Sequence, residues 1–332
     1  MERKLASIRV IKDIKPIENA DAIEVATVDG WHCVVKKDEF KVGEKVIYCE
    51  VDCLMPHTDA RFEFLRPRGF RIRTIKLRGQ VSQGLVLPLS YLPEDDYNLG
   101  DDVTELLGIV KYEPPIPAQL RGTIKGNFPT ELLSKSDEIR VQNLQELLTK
   151  YKGIKVSMKE KLDGSSLTAI YHDNTFRVCS RNLELLETDD NAYWKTARSE
   201  GIEDKLKSVG RNIAIQGEMI GFGIQGNKYA LKSTECWVFN VVDIDTRRYY
   251  SNTEVVEFCK TYGFKCVPDL GECDLVDDID ALVEMAKGNS VLNPKVNREG
   301  IVFRPVTPIH DPDFGWVSFK AINPSFLLKY EE

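Results

Sequence analysis

The sequence Lys159-Glu160-Lys161-Leu162-Asp163-Gly164-Ser165-Ser166 decides the fold. Apolar residues on both sides of it predict strands, and Gly164 marks a turn between them. A lysine is a nucleophile only as the neutral amine, so burial or a nearby cation has to lower its pKa. A metal ion beside the side chain would be such a cation. The pattern makes Lys161 a candidate nucleophile, although it also fits a charged surface turn.

Polar residues recur in, or at the ends of, apolar segments further along the chain. These are Ser180-Arg181-Asn182, Gln216-Gly217-Glu218, Trp237-Val238-Phe239-Asn240, Arg298-Glu299-Gly300-Ile301 and Ser318-Phe319-Lys320. Side chains on separate strand ends of an antiparallel sheet can converge on one pocket. Carboxylates there can hold Mg²⁺ or Mn²⁺, and arginine or lysine can neutralise a phosphate.

In order and spacing, these motifs resemble those of the covalent nucleotidyltransferase superfamily of RNA ligases, DNA ligases and mRNA capping enzymes. The resemblance runs from about Asp137 to Lys329. It implies that Lys161 attacks ATP, expels pyrophosphate and carries AMP as a phosphoramidate. The AMP then passes to an RNA 5′-phosphate, and a 3′-hydroxyl finally displaces it. Cationic groups and a metal ion would offset the charge that develops at each phosphorus.

The resemblance also implies roles for individual residues. Glu160 would read the adenine amino group, Phe239 would stack on the purine, and Arg181 would contact the ribose or the RNA end. Asp163, Glu218 and Glu299 would surround the metal ion or its waters. Lys320 would contact the α-phosphate. Phe239 also fits core packing. RNA ligases often have a second lysine where Ser318 stands, so one phosphate contact is either missing here or comes from elsewhere, with Lys232 as a candidate. Ser166 occupies a position where several RNA ligases have asparagine.

Arg140 precedes a segment with helical periodicity. In the resembled family, an arginine at this place grips the β-phosphate side of ATP, so Arg140 is a candidate ATP ligand. It also fits an ordinary surface residue at a helix start. The chain ends a dozen residues after Lys320, which leaves no room for the OB domain that follows this point in DNA ligases and capping enzymes. This favours an RNA ligase, active in RNA repair.

The regions around the nucleotidyltransferase motifs predict an α+β protein. Residues 1–112 read as an all-β domain, with Asp29-Gly30 as a hairpin turn, and resemble the N-terminal OB-type module of one RNA ligase family. Residues 113–135 read as a proline-containing linker, and 136–332 as a nucleotidyltransferase domain of antiparallel sheets with flanking helices. Strands are predicted at 155–158, 167–171, 176–180, 213–219, 236–243, 300–305 and 316–320, and helices at 141–151, 189–200, 252–261 and 277–287.

A dense run of basic residues stands out in the first domain. It comprises Arg61, Arg66, Arg68, Arg71, Arg73, Lys76 and Arg78, interleaved with Phe62, Phe64 and Phe70. Basic residues meet phosphates and aromatic rings stack on bases in OB grooves, so the run predicts an RNA-binding face. It also fits a solvated strand face.

Composition sets limits on the remaining possibilities. The net charge of −7 gives no global sign of nucleic-acid binding, so any such surface has to be local. The eight cysteines include no C-x-x-C pair, which argues against a zinc site. We expect an intracellular, cytoplasmic monomer with reduced thiols and no membrane segment. A DNA ligase, a GTP-using capping enzyme and a non-catalytic RNA-binding protein with a degenerate ligase domain remain as alternatives.

Overall fold

One long, bent strand organises the N-terminal part of the protein. The computed structural model describes residues 4–113 and 122–330. The strands of the first range are β1 (Ala6–Pro16), β2 (Ile23–Val28), β3 (Trp31–Lys36), β4 (Lys45–Cys49), β5 (Cys53–Leu54), β6 (Thr74–Leu77), β7 (Gln80–Gln83), β8 (Leu85–Leu87) and β9 (Val110–Lys111). Residues 6–10 of β1 pair with β4, and residues 11–16 pair with β2. β1 is therefore the central strand of the sheet β3-β2-β1-β4-β8 and joins its two halves.

Contacts between β3 and the β7–β8 segment nearly close this sheet into a barrel. The Val34 N–H donates to Ser82 Oγ at 2.9 Å, and inside the barrel the rings of Trp31 and Tyr48 stack 5.9 Å apart. The predicted hairpin is confirmed, because β2 and β3 are joined at Asp29, whose φ of 52° fits a tight turn. The predicted N-terminal β-barrel is confirmed as well.

The second part of the protein consists of two sheets with helices packed on them. Its strands are β10 (Ile124–Asn127), β11 (Ile139–Arg140), β12 (Lys155–Lys161), β13 (Ser165–His172), β14 (Thr175–Cys179), β15 (Leu183–Leu185), β16 (Ile213–Gly221), β17 (Thr234–Asp243), β18 (Arg248–Tyr249), β19 (Lys265–Cys266), β20 (Asp269–Asp274), β21 (Gly300–Pro305), β22 (His310–Asp311), β23 (Gly315–Trp316) and β24 (Phe319–Ile322). The helices are α1 (Gln145–Lys150), α2 (Ala192–Ser199), α3 (Ile202–Ser208), α4 (Asn252–Tyr262), α5 (Ile279–Ala286) and α6 (Pro324–Tyr330).

The two sheets meet at the turn that contains Asp163 and Gly164. One sheet has the order β10-β15-β14-β13-β16-β17-β18, with β19 beside β17, and the other has the order β11-β24-β21-β12-β20. Pairing is antiparallel except between β11 and β24 and between β17 and β19. The chain leaves the sheet that contains β12 at the end of that strand and enters the other sheet at β13. The predicted α+β class with antiparallel sheets and flanking helices is confirmed.

Some element boundaries differ from those expected from the sequence. Helix α1 begins only at Gln145, because Arg140 is extended and pairs with Lys320 of β24, and residues 141–143 form a 3-10 turn. The strand expected at 316–320 is divided between β23 and β24. Strand β10 lies within the segment expected to be a linker, because it pairs with β15. Residues 114–117 of that expected linker lie outside the described residues.

The barrel packs directly against the start of the second part. Trp31 Nε1 donates to Asn143 Oδ1 at 2.7 Å, and Asn143 Nδ2 donates to Glu50 Oε1 at 2.9 Å. A Cβ atom at Gly30 would lie 2.4 Å from Cδ1 of Ile279 and 3.1 Å from Cα of Gln142, so a larger residue at position 30 would require the Ile279 side chain to move. Of the helices in 4–113 and 122–330, none is long and apolar enough to span a bilayer.

Candidate active site

The turn after β12 brings the candidate nucleophile close to β16. Lys161 is the last residue of β12, and Ser166 of the returning strand pairs with Glu218 of β16. A Cβ atom at Gly164 would lie 2.3 Å from the carbonyl oxygen of Met219. The glycine of the Lys-x-Asp-Gly pattern is therefore required for packing between the turn and the strand that carries Glu218.

Lys161 makes an ion pair with Glu299. Its Nζ atom donates to Glu299 Oε1 at 2.6 Å, and the Glu299 side chain is only 15% exposed. β12 pairs with β21 so that Lys161 lies opposite Gly300, the residue after Glu299. A Cβ atom at Gly300 would lie 2.3 Å from the carbonyl oxygen of Ala321, which explains why glycine follows the glutamate.

The electrostatic environment of Lys161 differs from what the sequence argument requires of a nucleophile. Burial alone would lower the pKa of Lys161, but the carboxylates of Glu299 and Glu218 outweigh burial and raise it. Burial raises the pKa of Glu218 to about 8 and also raises the pKa of Glu299, against the effect of Lys161. The protein alone therefore keeps Lys161 as an ammonium ion. A cation placed on the carboxylates would reverse this effect.

A cleft with a volume of about 220 Å³ opens beside this pair. Its lining residues are Arg140, Asp163, Gln225, Lys228, Glu299, Lys320, Ile322, Phe326, Leu327 and Tyr330. Burial, with the positive charges of Lys161 and Arg140, lowers the pKa of Lys320 to about 7. The sequence-predicted residues Asp163, Glu299, Lys320 and Arg140 are thus brought together on the walls of one cavity.

Arg140 lies between the barrel and the cleft. Its guanidinium carbon is 5.8 Å from the centre of the Trp31 ring, and its Nη1 atom is buried without a hydrogen-bond partner in the described part of the chain. Arg140 is therefore not an exposed residue at a helix start. It presents a desolvated cation beside Lys320, and anions favour such a position.

Glu160 and Phe239, the two residues assigned to the purine, differ in burial. Glu160 is 1% exposed, and burial raises its pKa. Its Oε2 atom accepts a hydrogen bond from the Val291 N–H at 2.8 Å, whereas Oε1 has no partner among residues 4–113 and 122–330. Phe239 is partly exposed at the edge of a cluster formed with Leu162 and Tyr229. Core packing therefore accounts for only part of the Phe239 surface.

The remaining predicted residues Arg181, Lys232 and Ser318 are not among the residues that line the cleft. Arg181 forms a half-exposed ion pair with Asp137, in which Nη2 donates to Oδ1 at 2.5 Å. Although burial opposes it, Arg181 lowers the pKa of Asp137. Lys232 is exposed, whereas Lys228 of the same loop lines the cleft. Ser318, at the position of the missing lysine, accepts a hydrogen bond from Arg304 Nε at 3.0 Å.

Sequence reasoning missed Gln225, Lys228, Tyr229 and helix α6. They are placed at the site by the loop after β16 and by the chain that follows Lys320. The only available signal was position, because the Gln-Gly-Asn-Lys-Tyr segment follows the strand of Glu218 within a dozen residues. Such a segment also fits an ordinary polar loop.

The basic run of the barrel is partly neutralised by nearby acids. Residues Ala60–Arg68 form a 3-10 helix rather than a strand. Arg61 pairs with Asp59, Arg66 with Glu63, and Arg71 with Asp52. Arg68, Lys76 and Arg78 are exposed. The RNA-binding face expected from this run therefore rests on fewer unneutralised charges than the sequence suggests, and it stays a prediction.

Comparisons with known proteins bear on both parts of the chain. An OB-fold domain model matches residues 5–89, and the RNA ligase family model matches residues 154–322. Solved structures of the Naegleria gruberi RNA ligase are similar over the whole chain. The structure with PPi, a mutant with ATP and Mn, and another mutant with AMP and Mn each show 42% sequence identity and a TM-score of 0.90, covering 99% of both chains. No curated protein matches the sequence.

The fold and these matches define an enzyme that joins RNA, with an OB-fold domain in front of its catalytic domain. The chain belongs to the RNA ligase family.

Proposed function

We propose that this RNA ligase uses ATP and a divalent metal ion to join RNA 3′-hydroxyl and 5′-phosphate ends, with Lys161 carrying AMP between them. The observation that carries this proposal is the ion pair of Lys161 and Glu299, 2.6 Å long, at a cleft that Arg140 and Lys320 also line. The solved Naegleria gruberi structures with ATP and Mn, and with AMP and Mn, support it.

Three buried atoms that have no hydrogen-bond partner in the described part of the chain fit the groups of a nucleotide and a metal ion. Glu160 Oε1 is an acceptor that suits the adenine amino group, and Arg140 Nη1 is a donor that suits a phosphate oxygen. Glu299 Oε2 is an acceptor that suits a cation or its bound water. Buried polar atoms are almost always paired in proteins, so unpaired atoms in three residues assigned to the nucleotide and the metal ion support the binding of a ligand.

The carboxylates suit a hard, hydrated cation better than zinc. No set of three or more His, Cys, Asp or Glu side chains encloses a metal position within the described ranges. Mg²⁺ and Mn²⁺ keep several waters and need only one or two carboxylates, which Glu299, Glu218 and Asp163 can provide. Bound there, the ion would lower the pKa of Lys161 and offset charge on the α-phosphate.

The residues of the chain then have separate tasks. Glu299 and Glu218 hold the ammonium group of Lys161 at the cleft until it loses its proton. The amine attacks the α-phosphorus, beside which Lys320 can offset developing charge, and expels pyrophosphate, whose charge Arg140 can neutralise. Glu160 and Phe239 face the purine, and Arg181 faces the ribose or the RNA end. The covalent intermediate divides one difficult condensation into easier displacements.

Labelling with radioactive nucleotide tests the proposal. The wild-type chain, incubated with α-labelled ATP and Mn²⁺ or Mg²⁺, should retain label on a denaturing gel and seal a 5′-phosphate, 3′-hydroxyl RNA break. A band that forms only with GTP would instead indicate a capping-type enzyme, and sealing of DNA alone would indicate a DNA ligase. If no label is retained under any condition, the remaining alternative is a non-catalytic RNA-binding protein.

Arg140→Ala is expected to impair lysine adenylylation by about 10- to 100-fold, because a charge-assisted contact to the leaving pyrophosphate is lost. Sealing of pre-adenylylated RNA should change much less, since no pyrophosphate leaves in that step. Arg248→Ala removes an exposed arginine paired with Glu254 and serves as the control. Equal losses in adenylylation and sealing would refute the assignment of Arg140.

The proposal includes a monomeric, intracellular enzyme. All eight cysteines are free thiols, which fits a reducing cytoplasm.

A further inference from the structure

Lys228 is a cation of the cleft for which the catalytic scheme has no task. It lies in the loop between β16 and β17, and its side chain is 14% exposed. Its Nζ atom donates to Asp163 Oδ2 at 2.5 Å and to the Gln225 carbonyl oxygen at 3.0 Å. It lines the cleft together with Lys320 and Glu299. Lys228 is therefore placed within the same small cavity as the nucleophile's ion-pair partner.

The loop holds Lys228 in a fixed position. Asn227 Nδ2 donates to the Leu231 carbonyl oxygen at 2.9 Å, and the Leu231 N–H donates back to Asn227 Oδ1 at 3.0 Å. Asn293 Nδ2 donates to the carbonyl oxygen of Lys228 itself at 2.7 Å. Because the backbone is fixed on both sides, little ordering of the loop remains for a ligand to induce.

Helix α6 covers the ammonium group without using all of its donors. The Nζ atom is 4.9 Å from the centre of the Tyr330 ring and 5.7 Å from that of Phe326, distances at which ring faces attract a cation. An ammonium group has three donors. Asp163 and Gln225 take two of them among the described residues, which leaves one for a group in the cleft.

The charges on the cleft walls favour an anion. Arg140, Lys228 and Lys320 line it on the positive side, and Asp163 and Glu299 on the negative side. Both carboxylates already have a lysine partner, Lys228 and Lys161 respectively. Lys161 and Lys228 offset these two carboxylates, so Arg140 and Lys320 remain as the further positive charges that favour a phosphate group in the cleft.

We propose that Lys228 binds a phosphate group of the substrate in this cleft through its remaining donor, while the Asp163 carboxylate, the Gln225 carbonyl and the Tyr330 ring keep the ammonium group in place. This inference rests on the proposed function, in which the nucleotide triphosphate and the RNA 5′-phosphate use the cleft in turn. Either phosphate can be the ligand of Lys228.

Binding measurements on Lys228→Met separate these two sources. Methionine keeps the length of the side chain and removes its charge. Calorimetry with inorganic pyrophosphate tests the nucleotide side, and fluorescence anisotropy with nicked RNA carrying either a 5′-phosphate or a 5′-hydroxyl tests the RNA side. We expect a loss of about 10- to 100-fold in pyrophosphate affinity, or in the preference for the 5′-phosphate, as for one charge-assisted hydrogen bond. Lys228→Arg should retain most of the affinity.

Lys287→Met is the matched control, since Lys287 is an exposed lysine paired with Glu284 on α5. Unchanged binding of both ligands by a folded Lys228→Met protein would overturn the proposal, as would equal losses for 5′-phosphate and 5′-hydroxyl RNA with intact pyrophosphate binding. If Lys228→Met does not fold, Lys228→Gln, which can still donate to Asp163, decides by the same measurements.

These outcomes are independent of the proposed chemistry. Pyrophosphate and RNA binding require no enzyme–AMP adduct. If the wild-type chain forms no adduct, the proposed function is contradicted. If the Lys228→Met variant nevertheless binds phosphate more weakly than the wild type, the role of Lys228 stands.

Discussion

Replacement of Lys161 by alanine is expected to abolish the enzyme–AMP adduct and, with it, ATP-driven sealing of RNA. The side chain supplies the attacking nitrogen, and water cannot replace a covalent carrier of AMP. Adduct formation, measured with α-labelled ATP on denaturing gels, should fall at least about 10³-fold, as expected when an enzyme loses its nucleophile. The variant should also be less stable than the wild type, because Lys161→Ala leaves the Glu299 carboxylate, which is only 15% exposed, without its ammonium partner.

Sealing of pre-adenylylated RNA provides the contrast for Lys161→Ala. That step needs no attack by lysine, so a substantial part of the wild-type rate should survive. Lys155→Ala on the same strand is the control, since Lys155 is an exposed residue paired with Asp274. Label that remains on the Lys161→Ala protein would place the nucleophile elsewhere and remove the basis of the proposed function.

Glu299→Gln is expected to slow lysine adenylylation by about 10²- to 10³-fold, the usual cost of losing one preorganised electrostatic group. Glutamine keeps the shape and can still accept the hydrogen bond from Lys161. It removes the negative charge that suits a divalent cation, so higher Mn²⁺ or Mg²⁺ concentrations should be needed for half-maximal labelling. Single-turnover labelling over a range of metal concentrations measures both effects.

The sign of the rate change separates two roles for Glu299. Its carboxylate raises the pKa of Lys161, so glutamine lowers that pKa and increases the fraction of neutral amine at pH 7. If the glutamate did nothing except hold the lysine, the variant would label faster at neutral pH. A faster reaction would therefore contradict a role in metal binding and charge stabilisation. Glu284→Gln, on an exposed face of α5, is the control.

The local pattern around Lys161 was enough to predict the strand, the turn and the return strand of the catalytic domain. Glycine is required at positions 164 and 300 because a side chain there would collide with the carbonyl oxygens of Met219 and Ala321. These two requirements are visible in the sequence as the glycines of the Lys-x-Asp-Gly and Glu-Gly patterns. The predicted residues Glu299, Lys320, Asp163 and Arg140 were found on one cleft because strand ends converge where sheets meet. Their catalytic roles stay predictions.

Long-range packing was not predictable from the sequence. The strand at Ile124–Asn127 has little periodicity, and only its pairing with β15 makes it a strand. Helix α6 and Lys228 reach the cleft through tertiary contacts that no local spacing encodes. The partial neutralisation of the basic run was not predicted either, because the sequence did not show that Asp59, Glu63 and Asp52 would pair with three of its arginines.

The close packing of Trp31, Gly30 and Asn143 limits how the chain can be divided. A fragment starting at residue 122 would leave Asn143 without either barrel partner and would uncover Ile279. It would also lack the Trp31 ring, which lies beside the Arg140 guanidinium group. The two modules are therefore not freely exchangeable, and any replacement of the barrel during evolution would have to rebuild the surface behind that arginine.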